Sequence, residues 1–462
     1  MKRHCSRIRG RASIVLILTA LCPAILMAVP GKASEQVRVL TLDEALQITL
    51  ENNKDIQKAE EFRRKVMGIY VEQRASALPQ LTGTATGGRS WDEAQAGAQS
   101  IPSFSIGPLT IGPIKIPPNV EDKNVGVGLT QPLFTWGQIG AAIRAAKFGI
   151  ASAADQLRVA RQAALRDVSA AFYDVLLAKE AYAIALQNLR QKESHADEAR
   201  RRYAAGVSTE YDVLAGEVAV ENARPDAIRT ENLVRTSRDR LRFILSVAED
   251  VDPQGDLHGS IGPVPEYEDV LETAYRRRPE LTDLKDRLAF SSELIKVARA
   301  GNKPRLDLKM SGGYRELTLG TTEYEGKTWS VGLAVTFPFF DGFRTKGRVD
   351  QAKSDVSTLK IEEAKTLDAI ALQIRDSLNK VRESAGIVQG LSGTVSQAER
   401  LLQMAEKGYE YGVKTHLDVE DAELNLVQAR GSLASAWRDY LVARVTLTWA
   451  MGILGEDQGA CP

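Results

Sequence analysis

Several segments of the chain alternate apolar and polar residues with a period of two, which is typical of β-strands. In TWSVGLAVTF, residues 328–337, large apolar side chains such as Trp329 occupy one face, and small residues occupy the other. The same alternation is found over Val125–Leu129 and over Leu306–Met310. We predict four strands of about ten residues, each with one apolar and one small or polar face.

Between the strands lie segments with a helical pattern and unusual length. Ile139–Ala205 and Arg344–Tyr411 contain almost no Pro and little Gly, so each predicts one helix of about 100 Å at 1.5 Å per residue. The helix after each carries an apolar heptad repeat with small d residues, which lets helices approach closely. In the second half the a residues are Val419, Leu426, Leu433, Tyr440 and Leu447, and the d residues are Ala422, Ala429, Ala436, Ala443 and Ala450. In the first half they are Val213, Val220, Ala227, Val234 and Leu241 at a, and Gly216, Ala223, Thr230 and Ser237 at d, with Pro225 expected to disturb the helix locally.

The two halves of the chain resemble each other. DEALQITLENNKDI at 43–56 is echoed by EDVLETAYRRRPEL at 268–281, and each half predicts a helix, two strands, a very long helix, a turn and a helix. We assign the first repeat to 41–247, a linker to 248–265, the second repeat to 266–452 and a tail to 453–462. The first half has extra residues within 91–124, where IPSFSIGPLTIGPIKIPP predicts a long irregular loop.

The N-terminus predicts export. Basic residues precede an apolar run from Ile14 to Met27, so residues 1–33 are expected to be a signal peptide. Cys22 raises the alternative of lipid attachment, but Leu21 is large where such signals prefer a small residue. No later segment has about 20 consecutive apolar residues, so we expect no membrane-spanning helix. In an exported chain the strands favour a transmembrane barrel, although a sheet packed on a soluble core would show the same alternation.

Composition and motifs predict no enzyme and no cofactor. The 462 residues carry a formal net charge of zero, which argues against a nucleic-acid partner. After the signal the histidines are His195, His258 and His416, without carboxylate or cysteine partners at metal-ligand spacing. We therefore expect them to be solvated and predict no metal site. Glu423 is likewise expected to be exposed.

One phrase occurs in both halves, as RRYAAGVSTEYDVLAGE at 201–217 and KGYEYGVKTHLDVEDAE at 407–423. Gly206 and Gly412 suit the left-handed position that ends a helix. A Thr three residues before an acid, opening the next helix, predicts a capping box; the pairs are Thr209 with Asp212 and Thr415 with Asp418. Each phrase thus predicts the turn of a long helical hairpin, and the second carries more charge.

The doubled plan and these two phrases resemble the TolC-type outer-membrane efflux proteins, from Leu42 to Gly452. The resemblance implies an α+β membrane protein: a homotrimer whose chains each give four strands to a transmembrane β-barrel and long helices to a periplasmic coiled-coil barrel. It also implies an exit duct for tripartite efflux or type I secretion, partnered by a periplasmic adaptor, an inner-membrane transporter of RND, ABC or MFS type and outer-membrane lipid. The alternative is a periplasmic coiled-coil scaffold without a membrane barrel.

The resemblance also assigns roles at the second phrase. Asp418 and Asp421 would form an acidic ring at the pore gate. The residues of the gate lock would be Tyr409 and Lys414, with Tyr211 and Asp212 as partners on the neighbouring hairpin. Family members often have arginine where this chain has Lys414, which pairs with a carboxylate without a bidentate fork.

Overall fold

The computed structural model describes residues 38–94, 103–111 and 117–455. The predicted signal peptide and residues 456–462 of the predicted tail lie outside these ranges. The elements of the first half are β1 (Arg38–Leu40), α1 (Leu42–Asn52), α2 (Lys54–Ala75), β2 (Gln80–Trp91), β3 (Phe104–Ile106), β4 (Leu109–Ile111), β5 (Asn119–Phe134), α3 (Gln138–Ala204) and α4 (Glu210–Leu245). Those that follow are β6 (Val251–Pro253), α5 (Tyr267–Arg277), α6 (Pro279–Arg299), β7 (Arg305–Leu319), β8 (Thr322–Thr336), α7 (Arg344–Glu410) and α8 (His416–Ala450).

The single helix predicted at the start of each half is in fact two helices. Asn53 ends α1 and caps α2, because its side-chain oxygen accepts hydrogen bonds from the backbone N–H groups of Asp55 at 2.9 Å and Ile56 at 3.2 Å. In the second half Arg278 adopts an extended conformation and Pro279 opens α6. Proline favours the first helical position because it has no N–H to satisfy there.

The long helices agree with the sequence prediction. Both α3 and α7 have 67 residues, and each is followed by an antiparallel return helix, α4 or α8. We call α3 with α4 hairpin one and α7 with α8 hairpin two. Pro225, which was expected to disturb its helix, lies inside α4 without interrupting it.

The heptad repeats lie in the packed interface. In α8, the small residues Ala422, Ala436 and Ala443 are buried, as predicted for d positions, whereas Leu433 at an a position is only partly buried. In α4, Gly216 lies against α3 so closely that an added Cβ would be 3.1 Å from Cα of Ala196. Small residues therefore set the spacing between helices, as the repeat indicated.

The four long strands form one antiparallel sheet in the order β2-β5-β7-β8. Glycines allow two of the strands to approach closely, since a Cβ on Gly313 would be 2.5 Å from the carbonyl oxygen of Val125. The apolar face predicted for β8 is exposed in the single chain, with Trp329 at 80% and Leu333 at 66% of full exposure. This sheet has β2 and β8 at its edges.

The segment 91–124 contains more regular structure than predicted. β2 continues to Trp91, β5 already begins at Asn119, and the short strands β3 and β4 pair antiparallel between them. Gly107 has a φ of 62° at the turn that joins β3 to β4. The prediction of an irregular loop is therefore wrong for 104–111 and for 119–124, and residues 95–102 and 112–116 of the predicted loop lie outside the described ranges.

The main core lies where the helices of both halves meet, around Phe172, Leu241, Ile374 and Tyr440. The segment assigned as a linker contributes to it, because β6 pairs in parallel with β1 and both Val251 and Leu257 are buried. Among the described residues, no helix has the length and apolar content that crossing a membrane would require.

Candidate functional site

The tips of the two hairpins share one geometry. Gly206 and Gly412 end α3 and α7 with φ of 76° and 75°, where a side chain would be strained. In the second tip the hydroxyl oxygen of Thr415 accepts from the backbone N–H of Asp418 at 3.2 Å, and the Asp418 carboxylate accepts from the backbone N–H of Thr415 at 2.8 Å. Thr209 and Asp212 form the same pair of bonds at 3.3 and 2.9 Å. Both predicted capping boxes are present.

Asp418 carries a fixed negative charge. The backbone N–H of Thr415, the Thr415 hydroxyl and then the ammonium of Lys414 stabilise its carboxylate, and they lower the pKa of Asp418 to about 2. Lys414 Nζ lies 3.1 Å from Asp418 Oδ1, so within one chain these two residues pair with each other. Asp421 is exposed one helical turn further on and shares a face of α8 with Asp418.

Tyr409 has a partner that the sequence analysis did not select. Arg202, near the end of α3, donates a hydrogen bond from Nη1 to the Tyr409 hydroxyl at 2.9 Å, and its guanidinium lies 5.4 Å from the centre of the ring. Tyr211 is 79% exposed. Asp212 accepts bonds from Ser208 and Thr209, and in the described part of one chain neither Tyr211 nor Asp212 is hydrogen-bonded to Tyr409 or Lys414. The run of three arginines at 200–202 was the available signal for Arg202.

The structure contradicts the expectation that Glu423 and His195 are solvated. Glu423 is only 2% exposed, and its carboxylate lies 2.7 Å from His195 Nε2. His416 Nε2 lies 3.8 Å from a carboxylate oxygen of Glu420, and His258 Nε2 lies 3.9 Å from one of Glu180. His195 and His258 have carboxylate neighbours that are distant in sequence, 228 positions away in the case of His195. Glu420, by contrast, follows His416 by only four residues, so the expectation that this histidine has no carboxylate at ligand spacing was wrong.

Known structures have the same architecture. The crystal structure of the Campylobacter jejuni CmeC outer membrane channel superposes with a TM-score of 0.74 at 17% identity, covering 89% of this chain and 85% of that chain. The fold is therefore that of the outer-membrane channels. Residues 45–247 and 270–453 match the family model described as outer membrane efflux protein.

The chain belongs to the outer membrane efflux protein family. It is similar to the alkaline protease secretion protein AprF of Pseudomonas aeruginosa, with 25% identity over 91% of this chain and 86% of the relative. It is also similar to the outer membrane protein TolC of Vibrio cholerae, with 21% identity over 95% of this chain and 96% of the relative. The protein is an outer-membrane exit channel whose helical tunnel lies in the periplasm.

Proposed function

We propose that three copies of the chain form one continuous duct, to which each copy contributes its four-stranded sheet and both helical hairpins. The observation that carries this proposal is the sheet itself, which has β2 and β8 as its edges and an exposed apolar face at Trp329 and Leu333. In lipid, each unpaired backbone group at an edge would cost several kcal/mol. Pairing β8 of one copy with β2 of the next removes both edges and turns the apolar face toward lipid.

The helices support the same assembly. At 1.5 Å per residue, α3 and α7 are each about 100 Å long, which is far more than the thickness of a bilayer. Their return helices expose large apolar residues, including Leu214 and Val218 on α4 and Leu424 on α8. Neighbouring copies would cover these side chains and complete a cylinder of helices that continues the pore through the periplasm.

At the periplasmic end of the duct, we place the gate at the hairpin tips. Asp418 and Asp421 of the three copies would form the acidic ring, and the low pKa of Asp418 keeps part of that charge at any physiological pH. The lock would consist of Tyr409 and Lys414 against Tyr211 and Asp212 of a neighbouring hairpin. Arg202 joins this set because it already holds the Tyr409 hydroxyl.

The duct performs no chemistry in this proposal. Long regular helices and a narrow set of tip contacts provide a path and a gate, and the energy comes from an inner-membrane transporter of RND, ABC or MFS type joined through a periplasmic adaptor. AprF is named for the secretion of a protease, so the candidate cargo includes proteins as well as small molecules.

Single-channel recording tests the gate. The double variant Tyr409→Phe with Lys414→Ser removes the lock hydroxyl and ammonium but leaves both aspartates, so we expect higher conductance than in the parent. The matched control is Tyr203→Phe, which removes one hydroxyl at the corresponding position of the first tip and should conduct like the parent. Equal conductance in the parent and the lock variant would refute the assignment of the lock.

A further inference from the structure

Glu423 is a buried carboxylate at the contact between the two hairpins. It is 2% exposed and lies eight residues after the N-cap Thr415, or about 12 Å along α8. A buried charge is costly unless it is paired and hydrogen-bonded. Its partners therefore determine how α8 can lie against its neighbours.

In the part of the chain that the structure describes, the close polar partners of this carboxylate all lie on α3 of hairpin one. Gln191 Nε2 lies 2.5 Å and His195 Nε2 2.7 Å from Oε1, while Lys192 Nζ lies 2.8 Å from Oε2. Both carboxylate oxygens are thus used. Small heptad residues such as Ala422 pack α8 against α7 within hairpin two, whereas this cluster ties α8 to hairpin one.

The cluster is connected to the proposed gate through aromatic rings. The imidazole of His195 is 5.8 Å from that of His416, measured between ring centres, and His416 is 5.7 Å from the ring of Tyr409. Tyr409 in turn binds Arg202 through its hydroxyl. His195, His416 and Tyr409 thus form a continuous row of ring contacts from the buried cluster to the proposed lock.

We infer that Gln191, Lys192 and His195 of α3, together with Glu423 of α8, form a clamp that positions hairpin two at the gate, and that protonation of His195 tightens it. Glu423 and His195 are positioning residues in this inference, since they act on the gate through α8. The inference rests on the proposed function only in its effect on conductance. The clamp itself is a property of one chain.

Charged residues lie near the clamp on every helix that adjoins it. On α3 these are Lys192, which opposes a second positive charge, and Glu198, which favours one. On α8, Glu420 lies 3.8 Å from both Lys192 and His416.

Two further helices carry charges near the clamp. Glu399 and Glu406 of α7 share a cleft of about 420 Å³ with Glu423, and Glu399 pairs with Arg430 of α8. On α4, the nearby Glu217 pairs with Arg200.

The direction of the pH effect follows from the two central groups. The hydrogen bond to Glu423 raises the pKa of His195, although partial burial opposes this. Burial disfavours the charged form of Glu423, but hydrogen bonds from His195 and Lys192 outweigh it and lower its pKa. The stabilisation that His195 gives to the clamp is complete below its ordinary pKa of 6.5. It is lost as the pH rises through the raised pKa. The stabilisation that Glu423 gives to the clamp is present above its ordinary pKa of 4.5. It is lost only as the pH falls through the lowered pKa. The clamp is therefore strongest between these two ordinary values and weakens as the solution becomes alkaline.

Conductance of the purified channel in planar bilayers tests the coupling to the gate. Replacing a charge-assisted hydrogen bond by a neutral one changes the equilibrium constant for breaking it by roughly 3- to 10-fold. We therefore expect the channel to be open that much more rarely at pH 6 than at pH 8.5. His195→Gln keeps a donor toward Glu423 without the titration and should abolish the pH dependence. The matched control His258→Gln, far from the tips, should retain it. Retention of the pH dependence in His195→Gln would overturn the inference, whatever the behaviour of His416→Gln.

A distance measurement tests the clamp without requiring a pore. Spin labels at the exposed positions Ser194 of α3 and Asn425 of α8, with the native cysteines replaced by serine, report the separation of the two hairpins. We expect a narrow distance distribution at pH 6, a broader and longer one at pH 8.5, and no pH dependence with His195→Gln. Unchanged distributions in the parent would refute the clamp. A pH-dependent distance in a protein that conducts nothing would instead contradict the proposed function and leave the clamp standing.

Discussion

The close approach of α3 and α4 near the first tip makes a quantitative prediction for Gly216→Leu. A Cβ at this position would already lie 3.1 Å from Cα and 3.3 Å from Cβ of Ala196, and a backbone atom cannot swing aside as a flexible side chain can. We therefore take the upper part of the usual overpacking cost, about 2–3 kcal/mol. Replacing a helical glycine returns about 1 kcal/mol, which leaves a net cost of about 1–2 kcal/mol for the local packing of hairpin one.

Limited trypsin digestion of the purified protein measures this cost. The sites at 200–202 lie in α3 beside the substitution, and cleavage there tracks the population of the locally opened hairpin. A net cost of about 1–2 kcal/mol corresponds to cleavage that is about 5- to 30-fold faster than in the parent. Ala215→Leu adds a similar side chain at the adjacent exposed position and should cleave at the parental rate. Equal rates for the two variants would show that small residues do not set the helix spacing here.

Three further predictions concern the second tip and the sheet. Thr415→Ala removes the hydroxyl half of a capping box, so the first turn of α8 should lose about 0.5–2 kcal/mol of protection from hydrogen exchange. Asp421→Asn should weaken the block of the channel current by divalent cations without changing the protection from hydrogen exchange. In the parent this block should persist at pH 4, because Asp418 has a pKa of about 2 and loses its charge only as the pH falls toward that value. Gly313→Leu should abolish trimers on native gels, since its side chain would meet the Val125 carbonyl. Gly312→Leu on the same inner strand should assemble, because its Cβ would come no closer than 4.0 Å to the Thr328 carbonyl oxygen; normal assembly of Gly313→Leu would contradict the strand register.

Local patterns predicted most of the elements because the energies that decide them are local. The long helices follow from an uninterrupted helical pattern, and the capping boxes follow from a Thr and an Asp that satisfy each other's backbone N–H groups. The break at Asn53 and the short hairpin around Gly107 were also readable, the first as an N-cap and the second as a Gly-Pro turn between alternating residues. Neither feature was predicted, because each lies within a longer stretch whose pattern favours a continuous helix or an irregular loop.

The burial of Glu423 could not be read from its own helix. It follows Ala422 in the heptad, where a charged residue normally faces solvent. Glu423 is buried instead, and its polar partners lie on α3, outside hairpin two. Its pairing with His195 depends on how the two hairpins pack, and the same holds for Arg202 and Tyr409. Contacts between hairpins are set by the tertiary fold, so periodicity within one helix carries no information about them.

The central claim is that this chain forms a trimeric duct through the outer membrane. The most direct measurement is to express the full chain, isolate the protein from the outer-membrane fraction, determine its mass by native mass spectrometry and record its conductance in planar bilayers. We predict a trimer of the processed chain, found in the outer membrane, that opens discrete cation-sensitive channels. A protein that fractionates with the soluble periplasm and conducts no current would contradict the claim and favour the coiled-coil scaffold.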